Sequence, residues 1–320
     1  MSETSIAIDI QGLTKYYRQF RALNQISFQV KEGEFFGFLG PNGAGKTTTI
    51  SAITGLANYQ QGSVRVFGHD VKGEYRKARA LIGLVPQEFN FDPFLSIEQI
   101  LIYEAGYFGI PKQNAKARAD ELLGEFELTP FRKLDFRKLS GGLKRRLLIA
   151  RALVHKPKIL IVDEPTAGLD LELRHKLWDF LKETNQKGIT IFLTTHYIEE
   201  AEKLCNRIGV ISGGVMIEVD DKIQLMKRLG QTEIAIHLNQ KLEAVPEGFA
   251  GSAIELGNGG STVWLRGEVD HVFSKLLKSI HAHGAEILDV HIKRATLEEV
   301  FFRLTHNQKH QNQREKSNWF

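Results

Sequence analysis

Gly40-Pro-Asn-Gly-Ala-Gly-Lys-Thr47 decides the fold, because it lies between a buried strand candidate, Glu34-Phe-Phe-Gly-Phe-Leu39, and a helix candidate over Thr47 to Leu56. The octet has the spacing G-x-x-x-x-G-K-[ST]. Its small residues let successive backbone N–H groups turn toward one anion, and the helix amino terminus adds partial positive charge. Lys46 is then placed to bridge β- and γ-phosphate oxygens, and the Thr47 hydroxyl to ligate Mg2+. Gly40, Pro41, Asn42, Gly43, Ala44, Gly45, Lys46, Thr47 and Thr48 form the candidate nucleotide cradle.

A phosphate loop needs a carboxylate for its metal. Lys158-Ile-Leu-Ile-Val-Asp-Glu164 reads as a buried strand delivering Asp163 at its carboxyl end, where open α/β sheets bind ligands. Asp163 is the candidate Mg2+ ligand, direct or through water. Glu164 is the candidate that orients and polarises the attacking water. Around this strand, a helix over Gly141 to His155, the run Lys158 to Val162, a helix near Leu171 to Asn185 and the run Ile189 to Thr194 alternate. Such alternation implies a mostly parallel sheet with helices on both faces.

Ahead of it, Ile6 to Ile10, the alternating Ile26, Phe28 and Val30, and residues 62 to 67 read as strands, and 97 to 106 and 115 to 127 as helices. After about Asp220 the texture changes. A helix over Lys222 to Leu229 precedes strands at Glu233 to Leu238 and Ser261 to Arg266, separated by a Gly/Ser/Asn-rich stretch from Gly248. A helix (His271 to His283), a strand (Ala285 to Ile292) and a helix (Thr296 to Thr305) follow, and the polar tail 307–320 is expected to be disordered.

Composition narrows the function. Of 320 residues 42% are hydrophobic and 25% charged, an ordinary globular mix that argues against disordered or coiled-coil chains. No apolar run approaches the 18 or so residues of a membrane helix, and MSETSIAIDI carries no secretory pattern. A single cysteine, Cys205, cannot form an intrachain disulfide and fits a reducing cytoplasm. The net charge of +4 is too mild to imply nucleic acid. Five histidines from His237 to His291 lack compact metal-ligand spacing, so no metal is assigned to them.

Leu139-Ser-Gly-Gly142 completes the pattern. Ser140 is a natural N-cap, and Gly141 and Gly142 let backbone approach phosphate at a positive helix end. Lying shortly before the Asp163 strand, this segment resembles the signature of ATP-binding cassette (ABC) proteins. The other family elements follow in order. Tyr17, with Tyr16 as its neighbour, falls where cassettes stack an aromatic on adenine. Gln87, in Val85-Pro-Gln-Glu88, matches the glutamine that senses Mg2+ and water and links the core to a helical subdomain. Pro165-Thr-Ala-Gly-Leu-Asp170 matches the loop after the catalytic glutamate, and Thr194-Thr-His196 the switch histidine, a hydrogen-bond donor to the γ-phosphate. The fifth signature position, most often Gln in the family, is Leu143 here, followed by Lys144-Arg-Arg146.

The resemblance covers residues 6 to about 218 and implies an α/β P-loop NTPase fold: a mostly parallel core with antiparallel β and helical subdomains. It implies a nucleotide-binding domain over 1–220, with the helical subdomain at about 88–155; the change of texture after Asp220 marks off a small α+β accessory domain over 221–306. Glu164, His196, Lys46 and Gln87 become the catalytic candidates, and Thr47, Gln87 and Asp163 the Mg2+ candidates, with Ser140, Gly141, Gly142 and Asp170 added to the ATP contacts. Signature loops act across a head-to-tail dimer in this family, so a homodimer, or a dimer with a second cassette, is expected. The chain looks most similar to YadG-like cassettes of ABC-2 type exporters. That likeness implies a separate transmembrane permease and a peripheral location on the cytoplasmic face of the membrane. Phe89, Phe91, Phe94 and Leu95, beside Gln87, are the candidate permease contact, and Arg294-Ala-Thr-Leu-Glu-Glu-Val-Phe301 resembles the closing segment of such cassettes. The competing reading, a soluble ABC ATPase acting on nucleic acid or ribosomes, predicts tandem cassettes, a coiled-coil insertion or zinc-binding cysteines. One cassette, one cysteine and no heptads disfavour it.

Overall fold

The computed structural model describes residues 5–305 apart from 231, 246–248, 250–252 and 268–269. The tail 307–320 lies outside the described residues. Two compact units divide the chain, one running to Lys222 and one starting at Ile223.

The first unit opens with two long strands, β1 (Ile6–Tyr17) and β2 (Phe20–Lys31), then β3 (Phe35–Leu39) and α1 (Lys46–Ile53). β4 (Gln61–Val66), β5 (His69–Asp70), α2 (Tyr75–Ala80) and β6 (Ile82–Val85) come next, followed by α3 (Ile97–Tyr107), α4 (Lys112–Glu125) and α5 (Gly141–Ala152). β7 (Ile159–Asp163), α6 (Leu171–Gln186), β8 (Thr190–Thr195), α7 (Ile198–Leu204), β9 (Arg207–Ser212) and β10 (Val215–Asp221) complete it.

Among the described residues the six-stranded sheet has the order β10-β9-β3-β8-β7-β6. Neighbours are parallel except β10, which turns back on β9 through Gly213 and Gly214, both at positive φ. Every residue of β3, β7 and β8 is buried, which explains why these strands read as unbroken apolar runs. An antiparallel sheet, β2-β1-β4-β5, shares their core: Phe28 stacks on Phe36 at 5.7 Å and on Phe38 at 5.3 Å, and Phe36 on Phe192 at 5.7 Å. Cys205, at the end of α7, is buried against Gly37, where an added Cβ would lie 2.7 Å from its sulfur; burial pushes its thiol pKa far up.

The helical excursion between β6 and β7 follows local rules. Ser96 and Gln99 form a reciprocal capping box at the start of α3, and Pro111 precedes α4. α4 buries Ala115, Ala119, Leu122 and Leu123 at helical spacing.

Several elements differ from the sequence expectation. The first strand does not stop at Ile10 but continues to Tyr17, because Gly12 takes φ +59° and lets the pairing register shift without ending the ladder. The helix expected at 115 begins at Lys112, and that expected to reach His155 ends at Ala152.

The second unit contains α8 (Lys222–Leu229), β11 (Thr232–Leu238), β12 (Ala253–Gly257), β13 (Thr262–Gly267), α9 (Asp270–Ala282), β14 (Ile287–Arg294) and a helix over 297–305. Its antiparallel sheet has the order β12-β13-β11-β14, with Ile234, Ile236, Val263 and Leu265 packed on Leu276 and Ile280 of α9. β12 lies inside the Gly/Ser/Asn-rich stretch, where no strand was expected. Ala253, Ile254, Glu255 and Leu256 pair with β13, and the glycines cluster in the turn beyond them.

His155 shows what burial does to a titrating group here. Its Nε2 lies 2.9 Å from the Ile82 carbonyl and its ring stacks on Phe108 at 3.6 Å; burial lowers its pKa to about 4. As pH falls below 6.5, the unfolded chain takes up a proton that folded His155 refuses until about pH 4, so stability drops across that window. The contribution is up to about 3 kcal/mol. His155→Phe is therefore expected to flatten the loss of stability between pH 6.5 and 4 in denaturant unfolding. An unchanged acid slope would remove His155 as its source.

Candidate functional site

Four parallel strands of one sheet bring the chemistry to one edge. β3, β6, β7 and β8 all end there, so the loops after Leu39, Val85, Asp163 and Thr195 meet. The cradle after β3 depends on glycine. A Cβ at Gly40 would lie 2.5 Å from the Ile211 carbonyl oxygen. Gly45, the N-cap of α1, has φ +111°, and a Cβ there would meet Leu23 at 2.7 Å. With this path fixed, Lys46 curls back over the loop, donating to the carbonyls of Gly40 (2.8 Å) and Pro41 (3.3 Å), and pairs with Glu164 Oε1 at 3.2 Å. Its side chain is only 5% exposed.

Asp163 and Thr194 stand opposite each other in the β7–β8 register. The Thr194 hydroxyl donates to Asp163 Oδ1 at 2.5 Å, and the Thr47 hydroxyl to Oδ2 at 3.3 Å. Burial pushes the Asp163 pKa up, opposed by these two donors and by Lys46, while the Glu164 charge adds to the rise. Glu164, in a left-handed conformation (φ +45°), anchors its N–H on the Thr194 carbonyl at 3.0 Å. Its Oε2 accepts from Gln87 Nε2 at 3.3 Å and lies 3.1 Å from His196 Nδ1. One carboxylate is thus shared by the groups placed by three other loops.

A cleft of about 570 Å³ opens over this cluster, bordered by Asn42, Gly43, Thr47 and Thr48 on the cradle side and by Gln87, Glu164 and His196 opposite. Tyr17, 47% exposed at the end of β1, lines it; Tyr16 does not. Phe20, 67% exposed at the start of β2, also lines it and was missed in the sequence. The signal was there: Tyr17 and Phe20 bracket a two-residue turn, so both side chains project from one hairpin end. Thr194 was missed too, as a partner of Asp163, although it directly precedes Thr195 and His196.

Other expected residues do not join this cleft. Ser140 caps α5, accepting from the Leu143 N–H at 3.4 Å, and Asp170 caps α6, accepting from the Leu173 N–H at 2.9 Å. Gly141 opens α5, and Gly142 is pressed against Leu173. None of the four lines the cleft over Lys46. Of the apolar segment after Gln87, Phe94 is 91% exposed and Phe89 partly so, whereas Phe91 is buried against Phe136.

This arrangement can bind a polyphosphate through backbone and Lys46, hold a hard cation with Thr47 and Asp163, and present Glu164 and His196 to the terminal phosphate. Burial raises the Asp163 pKa, so ionising this carboxyl costs the folded state, and the cost sets in as pH rises past its ordinary value. Without nucleotide or metal, Asp163→Asn is therefore expected to unfold at a temperature no lower than the wild type while losing metal-dependent ATPase activity. A lower unfolding temperature would show that Asp163 stabilises the fold.

Comparison with known proteins agrees with the geometry. The sequence profile described as ABC transporter matches residues 23–167. The linearmycin resistance ATP-binding protein LnrL of Bacillus subtilis is 37% identical over 307 residues, covering 93% of this chain and 98% of that protein. A Nod factor export ATP-binding protein I of Burkholderia pseudomallei is 38% identical over 301 residues, covering 93% and 96%. Among solved structures, the dimeric bacterial ABC transporter cassette MJ0796 matches with a TM-score of 0.62 and 30% identity, over 67% of this chain and 98% of that one. The same cassette in a dimeric post-hydrolysis state bound to ADP and Pi matches with a TM-score of 0.61. The chain belongs to the ABC transporter family, as an ATP-binding and ATP-hydrolysing cassette.

Proposed function

We propose that this cassette works as the ATPase subunit of a multi-subunit ABC-2 type exporter, pairing head to tail with a second copy and driving a separate permease. The observation that carries the pairing is that the signature does not join the cleft: the sequence holds one cradle and one Ser140–Gly142 segment, and none of Ser140, Gly141 and Gly142 lines the cleft over Lys46. A second copy supplies the missing half of each site. The dimeric form of MJ0796 supports this reading.

Within each site the residues divide the work of phosphoryl transfer to water. Backbone N–H groups of the cradle and Lys46 bind the β- and γ-phosphates. A phosphate oxygen competing for Lys46 frees Glu164 Oε1 to orient water in line with the γ-phosphate, while His196 donates to that phosphate. Thr47 and Asp163 suit Mg2+: two oxygen donors 3.3 Å apart, one a buried carboxylate whose ionised form a cation stabilises, with Gln87 held beside them on the Glu164 carboxylate. Mg2+ there supplies charge neutralisation on the transferring phosphoryl group. Tyr17, with Phe20, borders the cleft where an adenine ring can stack, and Ser140 with Gly141 and Gly142 reaches the γ-phosphate from the second copy, near Asp170.

Names of the relatives support export over action on nucleic acid, since both describe export or resistance. No helix among the described residues is long and apolar enough to cross a membrane, so the reading assigns that task to a permease and places the cassette at the cytoplasmic face. Phe89 and Phe94, exposed beside the Gln87 loop, are the surface offered to it.

Glu164→Gln is expected to bind ATP near wild-type affinity, lower turnover at least a hundredfold, and elute as an ATP-dependent dimer. Full turnover in that variant would overturn the role given to Glu164. Paired Phe89→Ser and Phe94→Ser changes are expected to leave basal ATPase within twofold but to abolish co-purification with a co-expressed six-span permease. Retained association would remove this surface from the interface.

A further inference from the structure

Glu200 is a carboxylate buried where the proposed mechanism has no use for it. It lies on α7 with 0% exposure, beneath two of the loops that form the site. The hydroxyl of Thr166, itself 0% exposed in the loop that follows Glu164, donates to Glu200 Oε1. The Glu200 N–H donates to the carbonyl of Tyr197, the residue after His196, at 3.1 Å, and the Tyr197 N–H donates to the Thr195 hydroxyl at 2.9 Å; Thr195, Trp178 and the Arg174 guanidinium of α6 lie close to the Glu200 carboxyl. Glu200 Oε2 and Trp178 Nε1 are buried without hydrogen-bond partners among the described residues.

A buried acid is costly unless its oxygens are hydrogen-bonded, and among the described residues Glu200 Oε1 has a donor while Oε2 has none. Thr166 is two residues beyond Glu164, and Thr195 is one residue before His196. On α5, the buried Arg145 guanidinium donates to the carbonyls of Pro86 (3.1 Å) and Gln87 (3.3 Å). The loops that carry Glu164 and His196 are therefore backed by a second carboxylate, one that does not line the cleft.

We propose that Glu200 is a positioning residue for ATP hydrolysis, tying the Thr166 loop to the turn that carries His196 and setting the geometry in which Glu164 meets the γ-phosphate. This rests on the reading of Glu164 and His196 as the hydrolytic groups. Hydrolysis needs these atoms held to a fraction of an ångström, whereas ATP binding depends on the cradle, which Glu200 does not contact. Loss of the tie should lower kcat and spare KM.

The test compares Thr166→Val, Glu200→Ala, their combination and Glu200→Gln in the full chain, measuring steady-state ATPase, ATP binding and thermal unfolding. Thr166→Val and Glu200→Ala are expected each to lower kcat at least tenfold with KM for ATP within threefold of wild type. The double variant is expected to lose no more than the worse single one, because both remove the same tie. Glu200→Gln keeps an acceptor for Thr166 and should recover at least a third of wild-type kcat. The proposal is overturned if Thr166→Val retains kcat within twofold, if the two losses multiply, or if Glu200→Gln is as impaired as Glu200→Ala. Should Glu200→Ala fail to fold, the near-isosteric Thr166→Val and the Glu200→Gln rescue still decide. Glu164→Gln run alongside separates the two readings: full activity there removes the hydrolytic role itself, while its loss together with an active Thr166→Val removes only the tie.

Discussion

The Glu164 carboxylate is the interaction on which the rest of this cassette depends. It stands at the exit of β7, almost shut off from water, and accepts the Lys46 ammonium on one oxygen and the Gln87 amide and His196 ring on the other. Removing one partner of a buried charge pair typically costs 3–5 kcal/mol, because the other charge is left uncompensated. The sheet must therefore hold four strand ends in register for this carboxylate to be tolerated at all. The same register sets Asp163 opposite Thr194 and Leu39 opposite Thr195, so the phosphate cradle, the metal carboxylate and the switch loop share one scaffold.

That economy explains which parts could be read from the chain. The cradle was legible because its glycines answer a local demand: Gly45 at φ +111° and Gly40 against Ile211 admit no side chain. The strands ending at Leu39 and Asp163 were legible because parallel strands covered on both faces carry apolar residues in an unbroken run, in the second strand as far as Val162. β6, which carries Gln87 to the site, was not recognised as a strand, since four residues with one glycine leave too short a pattern at the edge of a sheet. β9, β10 and α7 were likewise not foreseen; β10 is half-exposed throughout, so no periodicity distinguishes its faces.

Side-chain partnerships were the least visible level. Thr194 and Phe20 take their meaning from neighbours 31 and 3 residues away, which the fold brings together and composition cannot. In the second unit the failure had another cause. Gly257 ends β12 and Gly259 and Gly260 form the tight turn after it, where Gly260 packs against the Leu242 carbonyl; counted together they made the stretch read as glycine-rich and hid the strand. Four alternating residues before them, Ala253 to Leu256, were enough to form a paired strand.

The lone cysteine has a consequence of its own. Cys205 lies sealed against Gly37, under the central strand, with its thiol held in the unreactive protonated form. Folded, the protein is expected to be silent to thiol reagents, so that a label attached to a cysteine introduced at the surface reports from that position alone. Unmasking of Cys205 then requires the β3–α7 contact to open, and its labelling rate becomes a clock for the opening of the sheet that carries the nucleotide site.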